Sequence, residues 1–213
     1  MFNMDFGERV VIATGCVDWV PSPMPGVMRK PLAREDAERG HATSIVRYEP
    51  GASFRAHDHP LGEEILVLEG TFSDETGDYP AGTYFRNPEG FRHAPFSKEG
   101  CVLLVKLHQF QEDDGAHVVI DTFNAPFQPG AGNLQVLPLH QHGSEQVALV
   151  RWPAGERFQD HSHFGGEEIY VISGEFLDED GRYPVGTWIR SPHLSRHFPY
   201  VEQETLILSL IHI

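Results

Sequence analysis

The chain has 213 residues, of which 40% are hydrophobic and 22% are charged, a composition typical of a globular protein. Its formal net charge of −15 at pH 7 disfavours direct nucleic-acid binding, because a strongly acidic surface repels phosphate backbones. The two cysteines, Cys16 and Cys101, form no CxxC pair, so neither a disulfide framework nor a thiolate zinc site is indicated. No apolar run approaches the length of about 18 residues needed for a membrane span, and no signal peptide is recognisable. We therefore expect a cytoplasmic protein.

Short apolar runs separated by Gly, Pro and Asp clusters predict antiparallel β-strands along most of the chain. In chain order these runs are ERVVIATGCVDWV, ATSIVRYEP, EEILVLEGTF, GTYFRNP and CVLLVKL. A helix is conceivable only at PLAREDAERG, which combines good helix formers with a terminal glycine. The 16 prolines argue against further helix, so we expect an all-β fold.

The chain is an internal duplication. When it is shifted by 104 residues, the segment beginning GASFRAHDHPLGEEILVLEG falls without gaps on GERFQDHSHFGGEEIYVISG, and about half of the positions in this region are identical. Each copy has the length of a small domain rather than of a solenoid repeat. We place domain 1 at residues 1–108, including an N-terminal edge strand, and domain 2 at residues 109–213. The N-terminal apolar segment and its counterpart QFQEDDGAHVVIDTF are expected to be edge strands that could cross between the domains.

Four metal-ligand side chains recur with the same spacing in both copies. Residues two apart on a strand project to the same face, and a turn can bring a following glutamate and a later histidine to the same place. Three imidazoles and one carboxylate suit Zn, Fe(II), Mn, Ni or Co. We therefore predict one divalent metal per domain, with Zn or Fe favoured. The predicted ligands are His57, His59, Glu63 and His93 in domain 1, and His161, His163, Glu167 and His197 in domain 2.

Each predicted glutamate ligand has a glutamate neighbour, Glu64 or Glu168. Adjacent side chains of a strand point to opposite faces, so one of each pair should face the metal. The apolar residues that follow occupy both faces and leave the choice open. A third HxH sequence, His140 to His142, has neither the glutamate nor the later histidine, and we interpret it as a loop.

Paired arginines are candidates for holding an anionic substrate. They are Arg47, Arg86, Arg151 and Arg190. The alternative interpretation is that these cations form structural ion pairs with the abundant carboxylates, and we consider that alternative the stronger one.

These residues resemble the cupin family. The first cupin motif, G(x)5HxH(x)3,4E(x)6G, is matched from Gly51 to Gly70 and again from Gly155 to Gly174. The second motif, G(x)5PxG(x)2H, is matched from Gly82 to His93, whereas its second copy has Leu194 in place of a glycine. The resemblance implies two tandem β-barrels, a bicupin, each with a metal inside. The family spacing favours Glu63 and Glu167 as ligands.

The segments GGEE, SDETGDYPAGTYFRNP and GCVLLVKL are similar to the ChrR-type cupins, a group that includes the C-terminal domain of an anti-sigma factor. Those anti-sigma factors carry a helical zinc module with a His-x3-Cys-x2-Cys motif, and this chain does not contain that motif. The resemblance therefore implies a metal-dependent sensor or small-molecule-binding protein without the sigma-binding module. By family alone it leaves a sigma factor as a partner, and homodimerisation is a further expectation.

Related metal cupins include dioxygenases that cleave β-diketones or hydroxyacetophenones. The alternative function is therefore a non-haem Fe(II) dioxygenase acting on such a substrate. An open metal position facing a solvent-connected cavity would favour the enzyme, whereas a closed shell would favour sensing.

Overall fold

A computed structural model describes residues 1–36 and 39–212 of the chain. The described elements are β-strands, apart from one short 3-10 helix at Thr14–Cys16, which confirms the predicted all-β class. The first eleven strands are β1 (Val10–Ala13), β2 (Val20–Pro21), β3 (Val27–Arg34), β4 (Ala42–Tyr48), β5 (His57–Asp58), β6 (Glu63–Asp74), β7 (Gly77–Pro80), β8 (Thr83–Asn87), β9 (Arg92–His93), β10 (Cys101–Leu107) and β11 (Val118–Asp121). The remaining strands are β12 (Gln128–Pro129), β13 (Gln135–His142), β14 (Glu145–Trp152), β15 (His161–Ser162), β16 (Glu167–Ser173), β17 (Glu175–Leu177), β18 (Arg182–Pro184), β19 (Thr187–Ser191), β20 (Arg196–His197) and β21 (Thr205–His212).

The chain divides into two compact units. Unit 1 contains residues 1–4 and 18–124, and unit 2 contains residues 5–17 and 125–213. Unit 1 is built on a sheet of order β11-β8-β6-β10-β4-β3-β2, with β7 paired to β6. Unit 2 repeats this order as β1-β19-β16-β21-β14-β13-β12. In the described residues no helix has the length and apolar character to cross a membrane.

The edge strands of the two units are exchanged. Strand β11, which precedes the second repeat, pairs with β8 and completes the sheet of unit 1. Strand β1, which precedes the first repeat, pairs with β19 and completes the sheet of unit 2. Both strands were expected to be edge strands that could cross. The boundary drawn at residue 108 therefore differs from the observed division, because repeat length locates a copy of the sequence but not the strand that closes its sheet.

An aromatic residue precedes each exchanged strand and packs in the same unit as that strand. The Phe110 ring, which lies before β11, packs 3.8 Å from the guanidinium carbon of Arg86 in unit 1. At the equivalent place in unit 2, the ring of Phe6 lies 4.5 Å from the guanidinium carbon of Arg190. Each exchanged segment thus supplies both a strand and a ring that covers a buried cation.

Each unit has its own apolar core, formed by the inward side chains of the strands. In unit 1 the core includes Phe72 and Phe85, stacked with ring centroids 5.6 Å apart. In unit 2 it includes Trp152 and Phe176, whose rings meet edge to face at 5.5 Å. Burying one such side chain contributes about 1.5–3 kcal/mol to the free energy of folding. These clusters therefore stabilise the barrels that position the polar sites.

Two local predictions were wrong. The helix at PLAREDAERG does not form in its described part, because residues 31–34 belong to β3 and pair with β4; residues 37–38 of that segment lie outside the described residues. The loop predicted for His140 to His142 is instead the end of β13, where His142 pairs with Glu145 across a tight turn. In both places cross-strand pairing overrides the local signal.

Candidate metal centres

The first quartet is assembled by a short ribbon and a tight turn. Strands β5 and β9 pair so that His57 lies directly opposite His93. After His59 the chain reverses through Leu61 and Gly62, which both have positive φ, at 54° and 75°. A Cβ atom on Gly62 would run into the ring of Phe110, so glycine is required there. The reversal leads directly into β6 and aims Glu63 back at the histidines.

The side chains of this quartet converge. The Glu63 Oε1 atom lies 3.3 Å from His59 Nε2, and its Oε2 atom lies 3.4 Å from His93 Nε2. One nitrogen from each of His57, His59 and His93 lies within 4.8 Å of the others. His93 is fully buried. The sequence-predicted ligands of domain 1 are therefore brought together at one point inside unit 1.

Further hydrogen bonds orient these ligands. His57 Nδ1 donates to the carbonyl of Arg55 at 2.7 Å, which leaves Nε2 with a lone pair directed at the quartet. His93 Nδ1 lies 3.3 Å from Asp74 Oδ2, an arrangement that orients a metal-binding imidazole. The Asn87 amide donates to Glu63 Oε2 at 3.2 Å. Sequence reasoning missed Asp74, because its role depends on the pairing of β6 with its neighbours rather than on local spacing.

Strand alternation settles the ambiguity between adjacent glutamates. Glu64 points away from the histidines, accepting hydrogen bonds from Tyr84 Oη at 2.9 Å and Arg86 Nη1 at 3.1 Å. In unit 2, Glu168 likewise accepts a hydrogen bond from Trp188 Nε1 at 3.3 Å. Glu64 and Glu168 thus belong to buried polar clusters, whereas Glu63 and Glu167 face the histidines.

The second quartet is even more compact at its centre. His161 Nε2 lies 2.9 Å from His163 Nε2 and 3.1 Å from His197 Nε2. His161 Nδ1 donates to the carbonyl of Gln159 at 2.9 Å, so its Nε2 atom carries a lone pair. That one lone pair cannot satisfy both neighbouring nitrogens, whereas a single cation could accept electron pairs from all three. Glu167 Oε2 completes the group, 3.7 Å from both His163 Nε2 and His197 Nε2.

The unsatisfied atoms of both quartets fit a divalent metal. Within the described residues, three buried side-chain atoms at these sites have no hydrogen-bond partner: His59 Nε2, His93 Nε2 and Glu167 Oε2. Leaving such groups unpaired is costly, and a cation at each site would remove the cost. His57 and Glu63 would complete the first ligand set, and His161, His163 and His197 the second. A divalent cation in each site would act as a Lewis acid when bound.

The protonation tendencies agree with this interpretation. Burial lowers the pKa of His59, and burial together with the neighbouring imidazoles lowers the pKa values of His163 and His197 to about 4, so these rings are neutral and able to ligate at neutral pH. Burial raises the pKa of Glu167 to about 7, against the opposing hydrogen bond from Ser209. A buried carboxylate with no cation beside it behaves in this way.

A cavity adjoins the first quartet. It has an empty volume of about 460 Å³, including its open mouth, and three of the four predicted ligands line it: His57, His59 and Glu63. Its other walls are mostly apolar, with Ile65 and Phe72 among them. A largely apolar cavity with a few converging polar groups is the usual form of a small-molecule site.

Two polar side chains of this cavity escaped sequence reasoning. Arg29 of β3 and Tyr48 of β4 line it together with the quartet. Burial raises the pKa of Tyr48 well above its usual value, and the Glu63 carboxylate raises it further while Arg29 lowers it, so the phenol is a hydrogen-bond donor. Arg29 gave no signal in the sequence, because Asn133 stands 104 residues later in place of an arginine and β3 lies outside the stretch in which the two copies are most alike.

In unit 1 the repeated arginines are placed elsewhere. Arg47 stacks 4.6 Å from the ring of Trp19 and lies 3.0 Å from Glu49. Arg86 is fully buried and bonds to Glu64 and, at 2.6 Å, to Asp114. Neither arginine lines the cavity beside the quartet, because both lie on the opposite face of their strands. These contacts favour the ion-pair interpretation.

In unit 2 the two arginines differ from each other. Arg151 stacks 4.1 Å from the ring of Phe127. Arg190 donates to the carbonyl of Asp5 at 2.9 Å and also lines a cavity of about 280 Å³ that includes Glu167. Of the four arginines, Arg190 is the one that a described cavity connects with a metal-ligand candidate.

The comparison with family models decides the family. The model described as the ChrR cupin-like domain matches residues 7–111 and again residues 115–212. The chain belongs to the ChrR cupin-like domain family. The two matched segments correspond to the two copies of the duplication. No curated protein matches the chain.

Solved structures similar to this ChrR-type cupin share its fold. A candidate dioxygenase from Nostoc punctiforme has a TM-score of 0.82 at 16% identity, over 95% of this chain and 82% of that one. The protein YlbA of E. coli has a TM-score of 0.73 at 14% identity, over 99% and 93% of the two chains. Oxalate decarboxylase of Bacillus subtilis, a protein with Mn(II) centres, has a TM-score of 0.64 at 16% identity, over 95% and 76%. At these identities the likeness establishes two tandem cupin barrels and nothing about substrate.

Proposed function

We propose that this ChrR-type cupin is a metal-dependent enzyme of the dioxygenase kind, with unit 1 as its reaction site. The observation that carries the proposal is the cavity of about 460 Å³ that reaches His57, His59 and Glu63. A quartet that only stabilised the fold would need no such opening, whereas a reaction site must admit a small molecule beside the metal.

The residues of unit 1 have separable tasks in this proposal. His57, His59, Glu63 and His93 would hold a divalent metal, Fe(II) for O₂ chemistry, and the metal would supply Lewis acidity and redox capacity. The Arg55 carbonyl orients the imidazole of His57, and the Asp74 carboxylate orients that of His93, each through a hydrogen bond at Nδ1.

The cavity walls would act on the substrate. Ile65, Phe72 and Leu103 line the space beside the quartet and would exclude bulk water from a bound apolar group. Tyr48 presents a phenol that can donate a hydrogen bond to a substrate oxygen. β-Diketones and hydroxyacetophenones combine an apolar body with neighbouring oxygens, and they form the first substrate panel for this proposal.

Oxygen uptake tests the proposal. Protein loaded anaerobically with Fe(II) is mixed with each member of the panel, and O₂ consumption and product formation are followed. Glu63→Gln and His93→Ala should abolish uptake, whereas the matched variants Glu167→Gln and His197→Ala in unit 2 should retain it. Uptake that survives in the unit 1 variants, or no uptake with any panel member, would contradict the proposal in this form.

A second candidate function is a metal-dependent small-molecule sensor without turnover. The compact quartet of unit 2 favours it. His163 Nε2 and His197 Nε2 lie 2.9 Å and 3.1 Å from His161 Nε2, a convergence that is typical of a site whose metal stabilises structure. For this candidate, ligand binding should raise thermal stability with no product formed. A sigma factor partner and a homodimer also remain proposals, tested by pull-down and by the mass of the protein in solution.

A further inference from the structure

The unit 1 cavity is polar at two separate places. The quartet forms one, and Arg29 with Tyr48 forms the other. The half-buried Arg29 side chain and the buried Tyr48 ring come from neighbouring strands, β3 and β4, on the face that looks into the barrel. A cation inside the cavity is notable in a chain with a net charge of −15, whose overall field disfavours anions.

The strand register separates these two polar places. Arg29 pairs with Val46, and Val46 pairs with Leu103. Leu103 in turn pairs with Val67, four residues along β6 from Glu63. At about 3.3 Å per residue, the backbone level of Arg29 lies about 13 Å along the strands from that of Glu63. The two polar groups therefore enter the same cavity from different levels of the barrel.

Apolar side chains occupy the levels between them. Ile65 and its cross-strand partner Val105 line the cavity between the level of Glu63 and that of Arg29. Val46 and Leu103 line it at the level of Arg29 itself. A molecule that fills this space meets the quartet at one end, an apolar wall along its length, and a guanidinium with a phenol at the other.

We propose that the ligand of unit 1 is a carboxylate-bearing small molecule, with its carboxylate held by Arg29 and Tyr48 and its other end directed at the quartet. A guanidinium offers two parallel N–H donors that match a carboxylate, and a phenol adds a third donor. The apolar stretch between the two polar places selects a short hydrocarbon or aromatic body. The inference rests on the proposed function, because it assigns the substrate class of the same site.

Unit 2 lacks this arrangement. The position in register with Arg29 is Val136, which pairs with Val150 as Arg29 pairs with Val46. Trp152 replaces Tyr48 at the equivalent place, 104 residues later. Two nearly identical quartets therefore stand in barrels with different interiors, and the carboxylate recognition belongs to unit 1 alone.

A pair of probes of equal shape tests the charge preference. Binding of 4-fluorobenzoate and of neutral 4-fluorobenzamide is measured by ¹⁹F NMR on the full-length protein, both metal-free and loaded with Zn(II). Arg29→Met should weaken benzoate binding about 10- to 100-fold and leave benzamide binding unchanged, because a charge-assisted bidentate contact is lost. Tyr48→Phe should weaken it about threefold to tenfold through loss of one donor.

Lys30→Met is the matched control. Lys30 is adjacent to Arg29 on β3, but its ammonium lies 4.7 Å from the ring of Trp19, outside the cavity lining. Benzoate binding should not change in this variant. The inference is overturned if the wild-type protein binds no benzoate, binds both probes equally, or responds alike to Arg29→Met and Lys30→Met.

The outcomes separate this inference from the proposed reaction. Arg29-dependent benzoate binding without any O₂ uptake would support the carboxylate site and contradict the dioxygenase. Uptake with neutral substrates that is unaffected by Arg29→Met would support the enzyme and contradict the carboxylate site. Far-ultraviolet circular dichroism and metal content establish that each variant is folded and loaded.

Discussion

Glu63 and Glu64 are adjacent in the chain, and their carboxylates lie on opposite faces of β6 in unrelated environments. Glu63 faces His59 and His93 at 3.3 Å and 3.4 Å. Glu64 bonds to Tyr84 and Arg86 on the far side of the strand. One carboxylate is therefore available to a metal, and the other neutralises a buried guanidinium.

Substitutions of these two glutamates should affect different properties of the protein. Glu63→Gln should remove the metal from unit 1, because an amide is a poor replacement for an anionic ligand. Glu64→Gln should leave metal content unchanged and lower the free energy of unfolding by about 3 kcal/mol, because Arg86 loses a buried partner. Elemental analysis and urea denaturation of both variants check this prediction. Equal metal loss in the two variants would contradict the assignment of the faces.

Both quartets should hold metal independently. Purified wild-type protein should contain close to two metal atoms per chain; His57→Ala or His161→Ala should each remove about one, and the double variant about two. Chelation should lower the melting temperature, because the metal binds the folded state in preference to the unfolded one. Metal content that the double variant leaves unchanged would exclude these sites.

Asp74 should tune the metal affinity of unit 1. Its Oδ2 atom lies 3.3 Å from His93 Nδ1, so Asp74→Asn should weaken metal binding in unit 1 about 10- to 100-fold. The matched residue Asp178 instead bonds to Arg9 Nη2 at 2.6 Å and to Tyr183 Oη at 2.7 Å. Asp178→Asn should therefore leave metal affinity nearly unchanged and lower the stability of unit 2. Competition with a chromophoric chelator measures the affinities, and an equal loss in both variants would contradict the distinction.

The two cysteines should differ in their reactivity towards thiol reagents. Cys16 is exposed and should react with a thiol reagent at about pH 8, whereas Cys101 is buried and should react only after denaturation.

Burial raises the pKa of Cys101 to about 11 from its ordinary 9.0. Because the folded-state pKa is the higher one, its stabilising contribution is complete below pH 9 and is lost as the pH rises through about 11.

Cys101→Ala is the control for that pH dependence. The variant should lose less stability than the wild type between about pH 9 and pH 11, as measured by urea denaturation at each pH. Parallel pH profiles for the two proteins would contradict the assigned role of the thiol.

Local patterns in the amino-acid sequence predicted much of this fold. Alternating apolar runs and turn residues predicted strands such as β4, β8 and β10, because side-chain period and turn chemistry are local properties. The quartets were predicted from spacing and recurrence, and their side chains do converge. The helix at PLAREDAERG failed because pairing with β4 outweighs the helix propensity of residues 31–34.

The sequence by itself determined that the chain contains two copies of one β-fold and that each copy carries three histidines and a glutamate at metal-ligand spacing. Only the tertiary structure decided that Glu63 rather than Glu64 faces the site, that β1 and β11 exchange units, and that Arg29 enters the unit 1 cavity. These outcomes depend on which distant strands pair and in which register. A shift of one residue would turn every side chain of a strand to the other face, and no local pattern in this chain specifies that choice.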